Sequence, residues 1–298
     1  MDNSNDAPAE NTSQYSLAES LQRFNIAVPK TTTTKLNEYC HLLWDWNSRL
    51  NLTRHTDYNK FVSRDLVDSM ALGDFLKPNE RVLDVGSGGG VPGIVLAILR
   101  PDLQIELCDA TGKKALALSE IVHELRLNIP VHHGKAETIL ATRRKGTRFT
   151  TLTIRAVARL VPLLRIVAPY WNQFDRLLLV KGPKWVEERG EARHYNLMNK
   201  LALRCLKTYS TPPFTKNHTT EIAKNINNEN VDNINSVVGN TEKETINHEI
   251  INSVILQICR KDNFEQLDKI IDTHKIEEPE PQQEAPQHSQ RKSQRKFR

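Results

Sequence analysis

Apolar positions recur along this chain with two different periods, and the change between them marks its organisation. Residues 1 to about 16 are rich in Asn, Ser, Asp and Ala and have no apolar period, so they are expected to be disordered. From Leu17 to Phe24, and again from Thr34 to Leu50, apolar side chains recur at spacings of three and four. Leu36, Tyr39, Cys40, Leu43, Trp44 and Trp46 carry the second stretch, and a third covers Asn59 to Phe75. Residues 17–76 therefore read as an N-terminal helical region.

Beyond it, short β-like runs alternate with helical patterns. Strands are expected at Arg81–Val85, Gln104–Cys108, Ile129–His133, Thr151–Arg155 and Arg176–Val180, with helices near 92–99, 113–127, 135–142, 158–170 and 184–199. That alternation predicts an α/β fold with a doubly wound parallel sheet, over residues 77–262. Two further runs, Ala202–Tyr209 and Ser253–Cys259, have strand composition with no helix between them. They predict an antiparallel edge and bring the expected sheet to seven strands. Residues 212–250 between them are dominated by Asn, Thr, Glu, Lys and Ile and are expected to be a disordered insertion in a hairpin. Residues 263–298 read as one more helix, Phe264 to Ile276, and a tail that turns from acidic and proline-rich to basic, closing on Arg295, Lys296 and Arg298.

Composition changes this picture little. An apolar fraction of 38% is low for a compact protein and agrees with a chain that folds only in part. Lys and Arg exceed Asp and Glu by 41 to 36, which is compatible with an RNA partner without arguing for one. Cys40, Cys108, Cys205 and Cys259 are widely spaced, with neither metal-ligand spacing nor a disulfide framework, so no metal is expected. The first twenty residues are polar and no run of about 18 apolar residues occurs, so a soluble, cytoplasmic protein without membrane contact is expected.

The chemistry gathers after the first strand. Asp84 ends an apolar run, glycines follow at 86, 88, 89 and 90, and Pro92 and Gly93 open the next apolar segment. This reads as strand, tight turn and helix start, the place where an open α/β sheet binds its ligand. Gly86 and Gly88 let the backbone approach a bound nucleoside. Asp109, at the end of the next strand, is placed to accept hydrogen bonds from a ribose hydroxyl pair. No phosphate-cradling Gly-x-x-x-x-Gly-Lys-Ser/Thr run exists. An acidic Asp84 two residues before the first glycine favours the positively charged S-adenosylmethionine (SAM) over a dinucleotide such as NAD; a carboxylate that merely satisfies turn amides is the other reading. The loop Gly134-Lys135-Ala136-Glu137 is placed to cover an adenine, or Glu137 simply complements a helix dipole.

Together these residues resemble a known family. Trp46-Asn47, Asn51-Leu52-Thr53, Asp68-Ser69, the run Asp84 to Gly93, Arg100-Pro101, Asp109 with Gly112-Lys113-Lys114, Arg155-Ala156 and Lys181-Gly182 resemble the ribosomal RNA small subunit methyltransferase G family, also called glucose-inhibited division protein B. The likeness covers about Leu36 to Leu206. It implies a class I, Rossmann-like SAM-dependent methyltransferase acting on N7 of a guanine in 16S ribosomal RNA, alone or in the small ribosomal subunit; a monomer is expected. Carried over by position, cofactor contacts fall on Gly86, Val91, Asp109, Ala110, Thr111, Ala136, Glu137 and Arg155. Two positions depart from the pattern: Arg64-Asp65 stands where Arg-His is frequent, and Gly89 where Pro is common.

Guanine N7 has an in-plane lone pair, so no general base is required. Arg155, at a strand end expected to face the transferable methyl, is the first candidate for the catalytic centre, as a grip on the guanine O6, a phosphate or the SAM carboxylate; the alternative is a structural ion pair. Lys181, Asn51 and Thr53 complete the expected target side. Arg49, Arg54, Arg64, the cluster Arg143, Arg144, Lys145 and Arg148, and Lys184 are candidate phosphate contacts. A methyltransferase for a non-RNA acceptor and a non-catalytic RNA-binding assembly factor remain alternatives.

Overall fold

A computed structural model of the chain describes residues 15–144, 146–211 and 251–263. The expected insertion at 212–250, the helix from Phe264, the tail and Lys145 lie outside the described residues. Ser16, counted with the disordered leader on composition, is instead the N-cap of α1 (Leu17–Arg23), in a capping box with Glu19. Helix α2 (Lys30–Asn47) starts four residues earlier than its apolar period suggests, because Pro29 takes the N-cap position and four threonines form its solvent-facing start. The third expected helix is α3 (Tyr58–Lys60) running through a π-helical turn, Phe61–Leu66, into α4 (Val67–Gly73).

The alternating region forms as expected: β1 (Arg81–Val85), α5 (Gly93–Leu99), β2 (Gln104–Asp109), α6 (Gly112–Glu124), β3 (Val131–His133), α7 (Ala136–Ala141), β4 (Thr151–Arg155), α8 (Leu160–Val167), β5 (Arg176–Lys181) and α9 (Trp185–His194), then β6 (Leu201–Thr211) and β7 (Ile251–Arg260). They build a seven-stranded sheet in the order β3-β2-β1-β4-β5-β7-β6. The first five strands run parallel; β7 pairs antiparallel with both β5 and β6.

Strand parity sorts the core into two layers, since successive side chains point to opposite faces. Val82, Ile105, Leu107, Leu178 and Ile255 face α2, α4, α5 and α6, and the N-terminal helices share that apolar cluster. Leu83, Leu152, Ile154, Leu177 and Leu256 face α7, α8 and α9. Leu36, Tyr39 and Leu43 of α2 are fully buried. At about 1.5–3 kcal/mol per fully buried large apolar side chain, they fasten the helical region onto the sheet. At the amino ends of the strands, fully buried Arg176 bonds Glu80, Thr151, Gln257 and the carbonyl of Phe75, tying β5 to the chain entering β1.

Candidate active site

The glycine turn leaves β1 at the carboxyl edge of the sheet. Gly86 (φ +67°) and Gly88 (φ +57°) are both left-handed. A Cβ at Gly86 would meet Val157 Cγ2 at 2.7 Å, whereas one at Gly88 would have Gly86 O at 3.8 Å and open space beyond. The turn thus keeps a gap that any side chain at 88 would fill. Gly86 and Ser87 donate their amides to Cys108 O at 2.9 and 3.0 Å, pinning the turn to β2.

Asp109 borders the gap. Its Oδ2 accepts the Gly88 amide at 3.0 Å and its Oδ1 the Thr111 amide at 2.8 Å, and each oxygen keeps a second lone pair for a hydroxyl donor. Ala110 and Thr111 are exposed, Val91 is half-buried, and Ala136 and Glu137 form the first turn of α7. Burial pushes the Cys108 thiol up to about 12, with Asp84, Asp109 and Glu137 adding to the effect. The residues present fit a bound nucleoside: a cradle without side chains, a carboxylate with spare acceptors and an adjoining helix start.

Asp84 does not join them at the surface. Its carboxylate is buried, accepts the Thr153 hydroxyl at 2.8 Å and the Gly93 amide at 3.2 Å, and so satisfies the turn from within. Burial raises its pKa from 3.8 to about 6.

Arg155 obeys strand parity. With Thr151 and Thr153 it points to the face of the N-terminal helices, where Nη2 meets Asp65 Oδ1 at 2.5 Å and Nη1 meets Asp68 Oδ2 at 3.0 Å. In this structure its guanidinium is engaged by these two carboxylates across the sheet face, the alternative reading that the sequence left open. Burial raises the Asp68 carboxyl against the opposing pull of Arg155 and of the Tyr209 hydroxyl, which donates to Asp68 Oδ1 at 2.7 Å. Lys181 has the opposite parity. Its ammonium donates to Ala158 O at 2.6 Å and Glu188 Oε2 at 2.8 Å on the α9 side, so Arg155 and Lys181 do not form one target-facing pair.

The loop that carries Asn51 and Thr53 meets the turn through Leu52, which lies between them. Asn47 Oδ1 accepts the amides of Leu52 and Thr53 at 2.8 and 2.9 Å, and the Leu52 carbonyl lies 3.4 Å from where a Gly89 Cβ would stand. The Tyr39 hydroxyl donates to Gly89 O at 2.9 Å, so α2 grips the turn from the other side. Sequence reasoning missed Tyr39, His55, Val157 and Tyr209 as parts of this region. The period of α2 gave Tyr39 only as core, while the others carry no motif of their own.

Several expected phosphate contacts are engaged elsewhere: Arg49 by Asp45 and the Trp46 ring, Arg143 by Glu106, and Arg148 by Asp175. Although burial opposes it, His132 and Arg143 hold the Glu106 carboxyl down at about 2. Among the described residues nothing bonds the side chains of Arg54, Arg64, Lys113, Lys135, Arg144 or Lys184. Nor do they include a helix long and apolar enough to cross a membrane, or a group of three or more His, Cys, Asp or Glu able to hold a metal.

A family model described as GidB, rRNA small subunit methyltransferase G, matches residues 32–219, from α2 through β6. The chain belongs to the GidB family. Relatives named ribosomal RNA small subunit methyltransferase G include one from Rhodopirellula baltica, 48% identical over 189 residues that cover 63% of this chain and 80% of the relative. One from Sorangium cellulosum is 35% identical over 199 residues, 65% of this chain and 82% of the relative. One from Mycolicibacterium smegmatis is 37% identical over 165 residues, 53% and 69%. Membership in GidB makes this chain a SAM-dependent methyltransferase.

Proposed function

We propose that this chain transfers the methyl group of SAM to N7 of a guanine in the ribosomal RNA of the small subunit, in the cytoplasm where that RNA is assembled. The observation that carries the reading is the glycine turn, with its gap at Gly88 bounded by the Asp109 carboxylate, in a GidB chain. When bound, SAM supplies an electrophilic methyl on a positively charged sulfur. Asp109 would hold the ribose hydroxyls, Gly86, Gly88 and Val91 would line the backbone approach, and the segments Ala110–Thr111 and Ala136–Glu137 would flank the base.

The protein's own part is orientation and electrostatics. Guanine N7 attacks with a lone pair it already has, so the residues need to hold the base in line and need not remove a proton. Arg155 with Asp65 and Asp68 sets one guanidinium against two carboxylates at the carboxyl end of β4. That excess of negative charge favours a base that becomes cationic as it is methylated. Asn51 and Thr53, on the loop that meets the turn through Leu52, are the proposed target-side groups, while Lys181 is assigned to holding α9. Arg54 adjoins Thr53, and Lys113, Lys135 and Lys184 follow the carboxyl ends of β2, β3 and β5, which supports phosphate contact along that edge.

The test is transfer of labelled methyl from SAM to small ribosomal subunits that lack the modification, with the product base identified. One N7-methylguanine per particle is expected. Asp109→Ala should weaken SAM binding by roughly tenfold or more in calorimetry, through loss of hydrogen bonds to a charged acceptor. Absence of transfer to both particles and naked 16S RNA would overturn the reading.

A further inference from the structure

The loop between α2 and α3 carries an imidazole fixed at three points. His55 Nδ1 lies 2.9 Å from Asp65 Oδ1, its amide donates to Thr53 Oγ1 at 3.0 Å, and its carbonyl accepts from the Trp44 indole at 2.8 Å. The Asp65 side chain is wholly buried, whereas 29% of the His55 side chain is exposed. A carboxylate has no hydrogen to give, so Nδ1 must carry it. In the neutral ring Nε2 is then an acceptor, and among the described residues nothing bonds to it. The Asp65 oxygen that takes this bond also takes Arg155, and its other oxygen is buried without a partner among the described residues. A wholly buried carboxylate on the π-helical turn therefore links two groups, a guanidinium at the end of β4 and an imidazole open to solvent on the loop that abuts the glycine turn through Leu52.

We propose that His55 is a substrate-positioning residue whose Nε2 accepts a hydrogen bond from the edge of the target guanine that carries N1–H and the N2 amino group. This rests on the reading of guanine N7 as the acceptor. A base that turns N7 toward the methyl donor turns N1 and N2 away from it, so they must be met by a separate element, and the loop beside the turn is such an element. The contact selects guanine, because adenine presents a lone pair at N1 and would face the Nε2 lone pair. It also strengthens during the reaction: a base acquiring positive charge at N7 is a better N1–H donor, and an acceptor backed by a buried carboxylate gains more from it.

Two substitutions separate positioning from mere support. His55→Asn keeps an amide where Nδ1 meets Asp65 but ends short of Nε2; His55→Gln carries an amide oxygen out to the Nε2 position. With small ribosomal subunits from cells lacking the modification, His55→Asn should lower kcat/KM for methyl transfer roughly tenfold or more at unchanged SAM affinity in calorimetry, and His55→Gln should recover most of the loss. Wild-type kcat/KM in His55→Asn, or equal impairment of both variants, overturns the proposal while leaving the functional reading intact. A wild-type protein that methylates some other atom overturns the functional reading, and this proposal with it.

Discussion

Asp84 is the penultimate residue of β1, just before the glycine turn, and its motif position alone would have it face a positively charged ligand. The side chain turns inward because Thr153, one strand over in register, and the Gly93 amide offer it two donors there. Sequence placed the residue in the turn but not the direction of its carboxylate, which depends on a partner 69 residues away. Burial raises its pKa from 3.8 to about 6, so between those values the native state binds the proton that the unfolded state releases. Asp84 therefore favours the fold most at low pH, and its contribution falls as pH rises from about 4 to 6, by roughly 2–3 kcal/mol in all. Urea unfolding of wild type and Asp84→Asn should show this as a gap that shifts in the variant's favour across that window and stays level above it. A gap independent of pH would contradict the assignment.

Among the elements, β4 and the π-helical turn were legible to different degrees. The alternation Thr151-Leu152-Thr153-Ile154-Arg155 gives the strand and places Arg155 on the face opposite Leu152 and Ile154. What covers that face is not legible, since Asp65 and Asp68 lie 87 to 90 residues earlier and nothing in the helical period marks the wide turn that carries Asp65. The same holds for Lys181, whose Glu188 partner sits on the other face. Arg155→Met leaves two buried carboxylates without their cation and should destabilise the protein by about 3–5 kcal/mol in urea unfolding. Arg155→Lys should recover part of that loss, because an ammonium lacks the fork that reaches both aspartates.

At the scale of the whole molecule, composition and alternation gave the seven strands and their antiparallel edge, and family resemblance gave the chemistry. Strand order and the docking of α2 on the turn follow from packing between distant segments and had to be seen. Thr211 and Ile251 are paired across the edge hairpin. Replacing residues 212–250 with a two-residue turn should therefore preserve the fold and SAM affinity, measured by thermal unfolding and calorimetry, while loss of SAM binding would count against it.

The order β5-β7-β6 also bears on how the protein is made. Strand β6 leaves the ribosome before β7, yet it joins the sheet through β7, which slots between it and β5. A nascent chain that has reached Thr211 holds Tyr209 without the strand that seats it against Asp68. Insertion of β7 forms hydrogen bonds along two edges at once, so the seating of Tyr209 on Asp68 waits on one long-range step. A chain that stops at Thr211 therefore lacks the strand that joins β6 to the rest of the sheet and holds Tyr209 against Asp68.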